Sequence, residues 1–365
     1  MQMTAAAEKV YRAADAAAEL NITLTLAADS HLAWLPQETI LFDRARVSRR
    51  IDIDIAENAS LLLCEIVVFG RAAMGERMLS GEFVDRWRMR TDTTSAASAI
   101  FAANRAQGSV TFDVHQVEGV TRRRHLHESG SLRVRFPSPE AEGLSAVFVN
   151  TAGGIAGGDR FDIDIAVGEG SRLAVTTAAA EKIYRAQGPA AQVNIALKAA
   201  AGAHLAWLPQ ETILFDRVKL SRRIDIDLAE TASLLLCEIV VFGRAAMGET
   251  MLTGSFVDRW RVRRGGRLVF AETVRLEGDI GAKLARPAVA KGGVAIGNAL
   301  IAPGDEAQVA RIREASESFR GEVGISAWNG FAMARFCAQD AARLRADMAA
   351  VLGSCGSVLP RIWLN

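Results

Sequence analysis

Apolar and polar residues alternate with period two through much of the chain. VTFDV (Val110 to Val114) and LRVRF (Leu132 to Phe136) follow the pattern of half-buried strands, as does FDIDIAV with Phe161, Ile163, Ile165 and Val167 on one face. AVFVN (Ala146 to Asn150) is a short apolar strand, and Leu234 to Phe242 is apolar at every position but one, as expected of a strand buried on both faces. Gly and Pro punctuate these runs from Val110 to Gly281, so this region is mainly β. Gly265-Gly266 and Asn329-Gly330 sit where two-residue hairpin turns are required. The C-terminal part changes period. GGVAIGNALIA reads as a strand and DEAQVARIREASESF as a helix with Val309, Ile312 and Phe319 on its apolar side. After the hairpin, Asp340 caps a last helix whose stripe is Leu344, Met348, Val351 and Leu352 and whose end is Gly353. The predicted order there is strand, helix, hairpin, helix.

One stretch of this pattern occurs twice. Thr177 to Arg263 realigns without a gap on Thr4 to Arg90, and 67 of the 87 aligned residues are identical. Val10/Ile183, Val47/Leu220, Ile55/Leu228 and Met89/Val262 exchange one apolar residue for another, which a packed interior tolerates. Two copies at so long a spacing do not make a repeat array, and partial duplication of a gene segment is the simpler reading. The chain divides accordingly into a truncated duplicate of the central β segment (1–90), a Ser/Thr/Ala-rich linker (91–108), a β body (109–290) and the C-terminal portion (291–365). The first copy lacks equivalents of Val110 to Val175 and of the C-terminal portion, so its strands should miss neighbours and leave open edges. It packs beside the body, pairs with another copy of the protein, or competes for the body's partners; a loosely attached, partly ordered appendage is the expected outcome.

Composition narrows the class. Among 365 residues, 43 Lys and Arg balance 42 Asp and Glu for a net charge of +1, so no polybasic footprint for nucleic acid is present. The four cysteines, Cys64, Cys237, Cys337 and Cys355, show no Cys-x-x-Cys spacing and read as reduced thiols. With neither a signal-peptide pattern at Met1 to Tyr11 nor an apolar run of about 18 residues, a cytoplasmic protein without a membrane span is expected.

Two features could carry chemistry. Thr151 to Arg160 holds Gly153, Gly154, Gly157 and Gly158 before Asp159. It lacks the Lys-Ser/Thr of a phosphate-binding loop and leads into a strand rather than a helix, so the bland reading is a tight connection whose glycines admit close approach of another segment. Glu238 is the single polar residue within Leu234 to Phe242, where an isolated carboxylate costs several kcal/mol unless paired, protonated or wet. Arg244 is its nearest candidate partner in sequence. A buried Glu–Arg pair that fixes packing and a polar passage through the interior both account for it. His125 and His127 could share a strand face but have no third metal ligand near in sequence. His204 and its duplicate His31 read as packing or interface residues. No nucleophile elbow, His-Glu-x-x-His or Cys-His pattern suggests an enzyme.

NTAGGIAGGDRF, TTAAAEKIYRA, LPQETILFD, LLLCEIVVFGRAAMGE, FVDRWRV and the terminal VLPRIWLN resemble, in this order, the UreD (UreH) family of urease accessory proteins. The resemblance covers about Val110 to Asn365, with residues 4–90 a truncated second copy. It implies a mainly β, helix-like body of stacked strands with a C-terminal α/β portion carrying two helices. It further implies a non-enzymatic scaffold that binds UreF and, with the GTPase UreG, docks on the urease apoprotein, with nickel in transit through an internal polar tunnel and no tightly bound cofactor. Asp159 and Glu238 match acidic positions to which that role is sensitive, with Arg244 and the four loop glycines in support. The alternatives are a nucleotide- or small-molecule-binding enzyme using the Gly-rich loop, or a passive interaction module.

Overall fold

The computed structural model describes residues 7–13, 16–70, 76–91, 105–137, 143–186, 188–244, 247–314, 316–355 and 359–363. Most of the expected linker, 92–104, lies outside the described residues, as do parts of VLPRIWLN. The chain forms two compact units, Met1–Asn104 and Arg105–Asn365.

In the first unit the strands are β1 (Glu8–Val10), β2 (Ala18–Leu26), β3 (His31–Trp34), β4 (Thr39–Leu41), β5 (Arg46–Ile55), β6 (Ser60–Leu63), β7 (Val67–Phe69) and β8 (Glu82–Thr91). The second unit opens with β9 (Gln107–Val117), β10 (Val120–Gly130), β11 (Leu132–Arg135), β12 (Leu144–Asn150), β13 (Arg160–Val167), β14 (Arg172–Thr177), β15 (Glu181–Ile183) and β16 (Ala191–Ala199). It continues with β17 (His204–Trp207), β18 (Thr212–Leu214), β19 (Val218–Leu228), β20 (Ser233–Phe242), β21 (Thr253–Arg264) and β22 (Arg267–Asp279), then a short helix α1 (Ile280–Leu284) that period-reading missed. The C-terminal part is β23 (Ala295–Ala302), α2 (Glu306–Glu314), β24 (Glu322–Trp328), β25 (Phe331–Ala338) and α3 (Ala341–Ser354), the predicted strand, helix, hairpin, helix order. The fold is mainly β.

The second unit is a coil of strands. One sheet runs β10-β9-β13-β16-β19-β21-β22 and the other β11-β12-β14-β17-β20-β23-β25-β24. The chain crosses from one to the other at β13/β14, β16/β17 and β19/β20, so successive turns stack in parallel register, for example Val193 beside Arg222 and Arg222 beside Asp258. Alternation along each strand sends Ile195, Leu197, Ile224, Ile226 and Phe256 into the core between the sheets. Both predicted glycine turns are present, with positive φ at Gly265, Gly266, Asn329 and Gly330, the backbone of a type I′ hairpin. Asp340 caps α3 by accepting from Arg343 N at 2.7 Å, and the helix runs one residue past Gly353. Its stripe packs with α2 on the outer side of β20, forming a second core with Leu235, Cys237, Ile239 and Val241.

The first unit repeats the coil locally. Parallel pairs β2–β5, β5–β8, β3–β6, β1–β4 and β4–β7 reproduce those of the identical residues in the second unit. What differs is cover: Leu62 and Ile66 are 58% and 53% exposed, whereas their twins Leu235 and Ile239 are 5% and 0% exposed. A large aliphatic side chain contributes about 1.5–3 kcal/mol when fully covered, so the same residues stabilise the first unit less than the second.

Candidate functional site

Glu238 sits mid-way along β20 and, by alternation, shares its side with Leu236 and Val240, facing the core between the sheets. There it meets side chains from the opposite sheet. Arg222 on β19 places Nη1 2.5 Å from Glu238 Oε2, while its Nε and Nη2 donate to Asp258 Oδ1 and Oδ2 on β21 at 3.1 and 2.7 Å. Trp207 Nε1 donates to Glu238 Oε1 and Trp260 Nε1 to Asp258 Oδ2, both at 3.2 Å. Arg222 Nη1 also donates to Thr212 Oγ1 at 3.2 Å. Arg222, Glu238 and Asp258 are all buried. One guanidinium cannot fully compensate two carboxylates in a low-dielectric interior. Burial, the largest influence, pushes Glu238 up to about 7; Arg222 opposes the rise and Asp258 adds to it.

Arg244 is not the partner of Glu238. It is exposed, pairs with Glu249 and stacks on Phe215 with its guanidinium 4.2 Å from the ring centroid. Proximity in sequence misled here, because Arg244 lies beyond the end of β20, whereas stacking of turns in the coil brings Arg222 across the core.

The polar cluster forms one wall of a cavity of about 340 Å³ between the sheets, lined also by Phe148, Phe161, Val193 and Ile195 and by the polar groups of Asn150, Thr177, Glu181, Gln210 and Thr212. Gly153 and the segment 178–182 also line it, and Gly153, Ala178, Ala179 and Lys182 are exposed, so the Gly-rich loop stands at its mouth. Glu181 accepts from Asn150 Nδ2 at 3.2 Å, and burial pushes its carboxyl up to about 7 against that bond. The walls are largely apolar, interrupted by two carboxyls raised to about 7, the Arg222 guanidinium paired with one of them, Lys182 and several neutral oxygens. Oxygen donors of this kind suit a hydrated divalent cation. Among the described residues no group of three or more His, Cys, Asp or Glu is placed to hold a metal ion.

Asp159 is not part of this cavity's lining. It is buried at the base of the loop, where Oδ1 accepts from Ala106 N at 2.9 Å and Oδ2 from Ala156 N at 2.7 Å. It ties the loop to the first residues of the unit. Close approach is met at Gly154, where a Cβ would stand 2.4 Å from the Tyr184 ring, and at Gly157, 2.3 Å from the Ala186 Cβ, but a Cβ at Gly153 would meet nothing within 4 Å. His125 pairs with Asp113 at 2.7 Å on the exposed side of the sheet, and His204 with Ser233 at 2.6 Å.

Both units, residues 1–101 and 106–364, match one family model, described as the UreD urease accessory protein. The chain belongs to the UreD family. It is 76% identical over 274 residues to a urease accessory protein UreD of Rhodopseudomonas palustris (strain BisA53), covering 75% of this chain and 96% of the relative. It is 77% identical over 271 residues to the UreD of Bradyrhizobium diazoefficiens, covering 74% and 98%. The relatives thus have room for one copy of the segment that this UreD chain carries twice. Members of the family are named as accessory proteins of urease, not as enzymes. No helix among the described residues is long and apolar enough to cross a membrane.

Arg222, Asp258 and Glu181 escaped sequence reasoning. The first two left a signal. In Val218–Leu228 the inward phase is Val218, Leu220, Arg222, Ile224, Ile226, Leu228, and in β21 it is Phe256, Asp258, Trp260, Val262. A charge in an otherwise apolar phase is the same oddity as Glu238. Glu181 left none, since β15 is three residues long.

Proposed function

We propose that this UreD family member acts in urease maturation as a scaffold bound to UreF and UreG, docks on apo-urease, and passes nickel through the cavity walled by Glu238 and Glu181. The observation that carries this reading is the placement of the buried Glu238 and the half-buried Glu181, both raised to about 7, in one largely apolar cavity. An ion in transit needs oxygen ligands that bind it without trapping it, and a carboxyl that titrates near pH 7 exchanges a proton for a cation at small cost. Arg222 and Asp258 hold Glu238 in place, and Asp159 shapes the loop at the mouth. Asp159 acts in this reading by positioning rather than by binding nickel.

The test follows nickel transfer into apo-urease by the complete chain with UreF and UreG, comparing wild type with Glu238→Gln and Glu181→Gln. Glu181→Gln can still accept from Asn150 Nδ2, whereas Glu238→Gln keeps the side chain's size but sets an amide donor against either Trp207 Nε1 or Arg222 Nη1. At least a tenfold slower activation is expected, with pull-down of UreF and UreG unchanged. Full activation in both variants would leave a passive scaffold as the better account.

A further inference from the structure

The terminal residues 359–363 grip one wall of the cavity from outside. In the sheet that holds Glu238, β17 pairs with β20 as far as Trp207 beside Leu236, and pairing resumes with Thr212 of β18 beside Val240. Residues 208–211 therefore lie outside the paired register, and Glu238 sits opposite that break. Trp207, Pro209 and Gln210 line the cavity, whereas Leu208 belongs to the outer core. There the buried Trp363 donates from Nε1 to Leu208 O at 2.8 Å. Arg345 of α3 donates to Glu211 Oε1 and to Ile362 O, both at 3.0 Å, and its guanidinium stands 4.6 Å from the centroid of the Trp363 ring. The tail thus supplies hydrogen bonds where the ladder is interrupted.

The duplicate shows the same segment without a tail. His31 to Asp43 is identical to His204 to Asp216, and no counterpart of α3 or of residues 359–363 was duplicated. The bonds of Arg49 to Glu65 and Asp85, and of Trp87 Nε1 to Asp85 Oδ2 at 2.9 Å, repeat those of the second unit. One bond is not repeated. Trp207 Nε1 donates to Glu238, but its twin Trp34 Nε1 is buried with no hydrogen-bond partner among the described residues. Identical residues cannot make this difference, so it comes from outside the duplicated segment.

We infer that Trp363 and Arg345 are positioning residues, which by gripping Leu208 and Glu211 hold the Trp207 indole on Glu238. A donor fixed on one carboxylate oxygen sets the orientation of the acid, as outer partners do for metal ligands. What this seating does for an ion in transit rests on the function proposed above; the contact itself does not.

The test labels the tryptophan indoles of the full chain with nitrogen-15 and follows their exchange with solvent by NMR, with Trp207 and Trp260 assigned by replacement with Phe. Trp363→Phe keeps a ring in the buried seat but loses the donor. Arg345→Lys keeps the charge but not the fork that spans Glu211 and Ile362. About tenfold faster exchange of the Trp207 indole is expected in each, with the Trp260 indole, bonded to Asp258 in the same cluster, unchanged. An unchanged Trp207 indole in both variants overturns the inference and credits packing against Phe148, whose ring centroid lies 6.2 Å from that of Trp207. Equal acceleration of both indoles overturns it too, as a general loosening of the unit. Nickel transfer into apo-urease is followed with the same variants. A released Trp207 indole with transfer at the full rate upholds the positioning and counts against Glu238 as a conduit acid.

Discussion

The duplication supplies an internal control for the energetics of the buried charge cluster. Arg49 repeats Arg222: it contacts Glu65 at 2.7 Å and binds Asp85 through two bonds of 3.1 and 2.7 Å. Side-chain exposure separates the two. Glu238 and Asp258 are 2% and 6% exposed, whereas Glu65 and Asp85 are 10% and 19% exposed. Replacing Arg222 with Met strands two carboxylates in the interior, a change that costs about 3–5 kcal/mol when a buried pair is broken. Arg49→Met leaves carboxylates that water can reach, and about 1–2 kcal/mol is expected between the surface and buried limits. Hydrogen exchange with mass spectrometry in increasing urea reads each unit separately, using peptides that contain a position at which the copies differ. A companion variant, Arg222→Met with Glu238→Gln and Asp258→Asn, removes all three charges and should recover most of the loss. Equal costs in the two units, or no recovery in the triple variant, would refute the reasoning that desolvated charge rather than packing decides the energy.

Other outcomes are open to measurement. Glu181 is raised from 4.5 to about 7 by burial. Between those values the folded chain keeps a proton that the unfolded chain loses, so its contribution is intact below pH 4.5 and is lost as pH rises through 7. Glu181→Gln should therefore flatten the fall in stability over that window by up to about 3 kcal/mol, and urea titrations at pH 5 and 8 that shift in parallel for both proteins would count against it. Asp159→Asn sets an amide donor against a backbone N–H at Ala106 or Ala156, costing about 1–3 kcal/mol; unchanged exchange protection at those amides would contradict the loop-tying role. Asp340→Ala removes the cap of α3 and should cost about 1 kcal/mol, seen as a lower thermal midpoint of the second unit.

How far the sequence reaches depends on the range of the interaction. The period-two runs, the glycine turns at 265–266 and 329–330 and the capped stripe of α3 are local signals, and each appears in the structure near its expected bounds. Glu238 was conspicuous because its strand neighbours are apolar, and burial of both faces of β20 follows from the same run. The partner was not legible as read, since Arg222 lies 16 residues before Glu238 and reaches it only when the coil stacks β19 across from β20. Likewise Asp159 looked like a possible ligand, whereas its two oxygens are taken by backbone amides brought together by loop closure.

By itself, then, the sequence determined the main strand runs, the two glycine turns, the two C-terminal helices, the duplicated segment and the presence of a charge in an apolar run. Tertiary structure alone decided which guanidinium meets that charge, that Glu181 shares its cavity, and that Leu62 is bare while Leu235 is covered. Identical residues form the same strands in both units because strand formation depends on alternation within a segment. Their burial and ionisation differ because these depend on neighbours contributed from elsewhere in the chain.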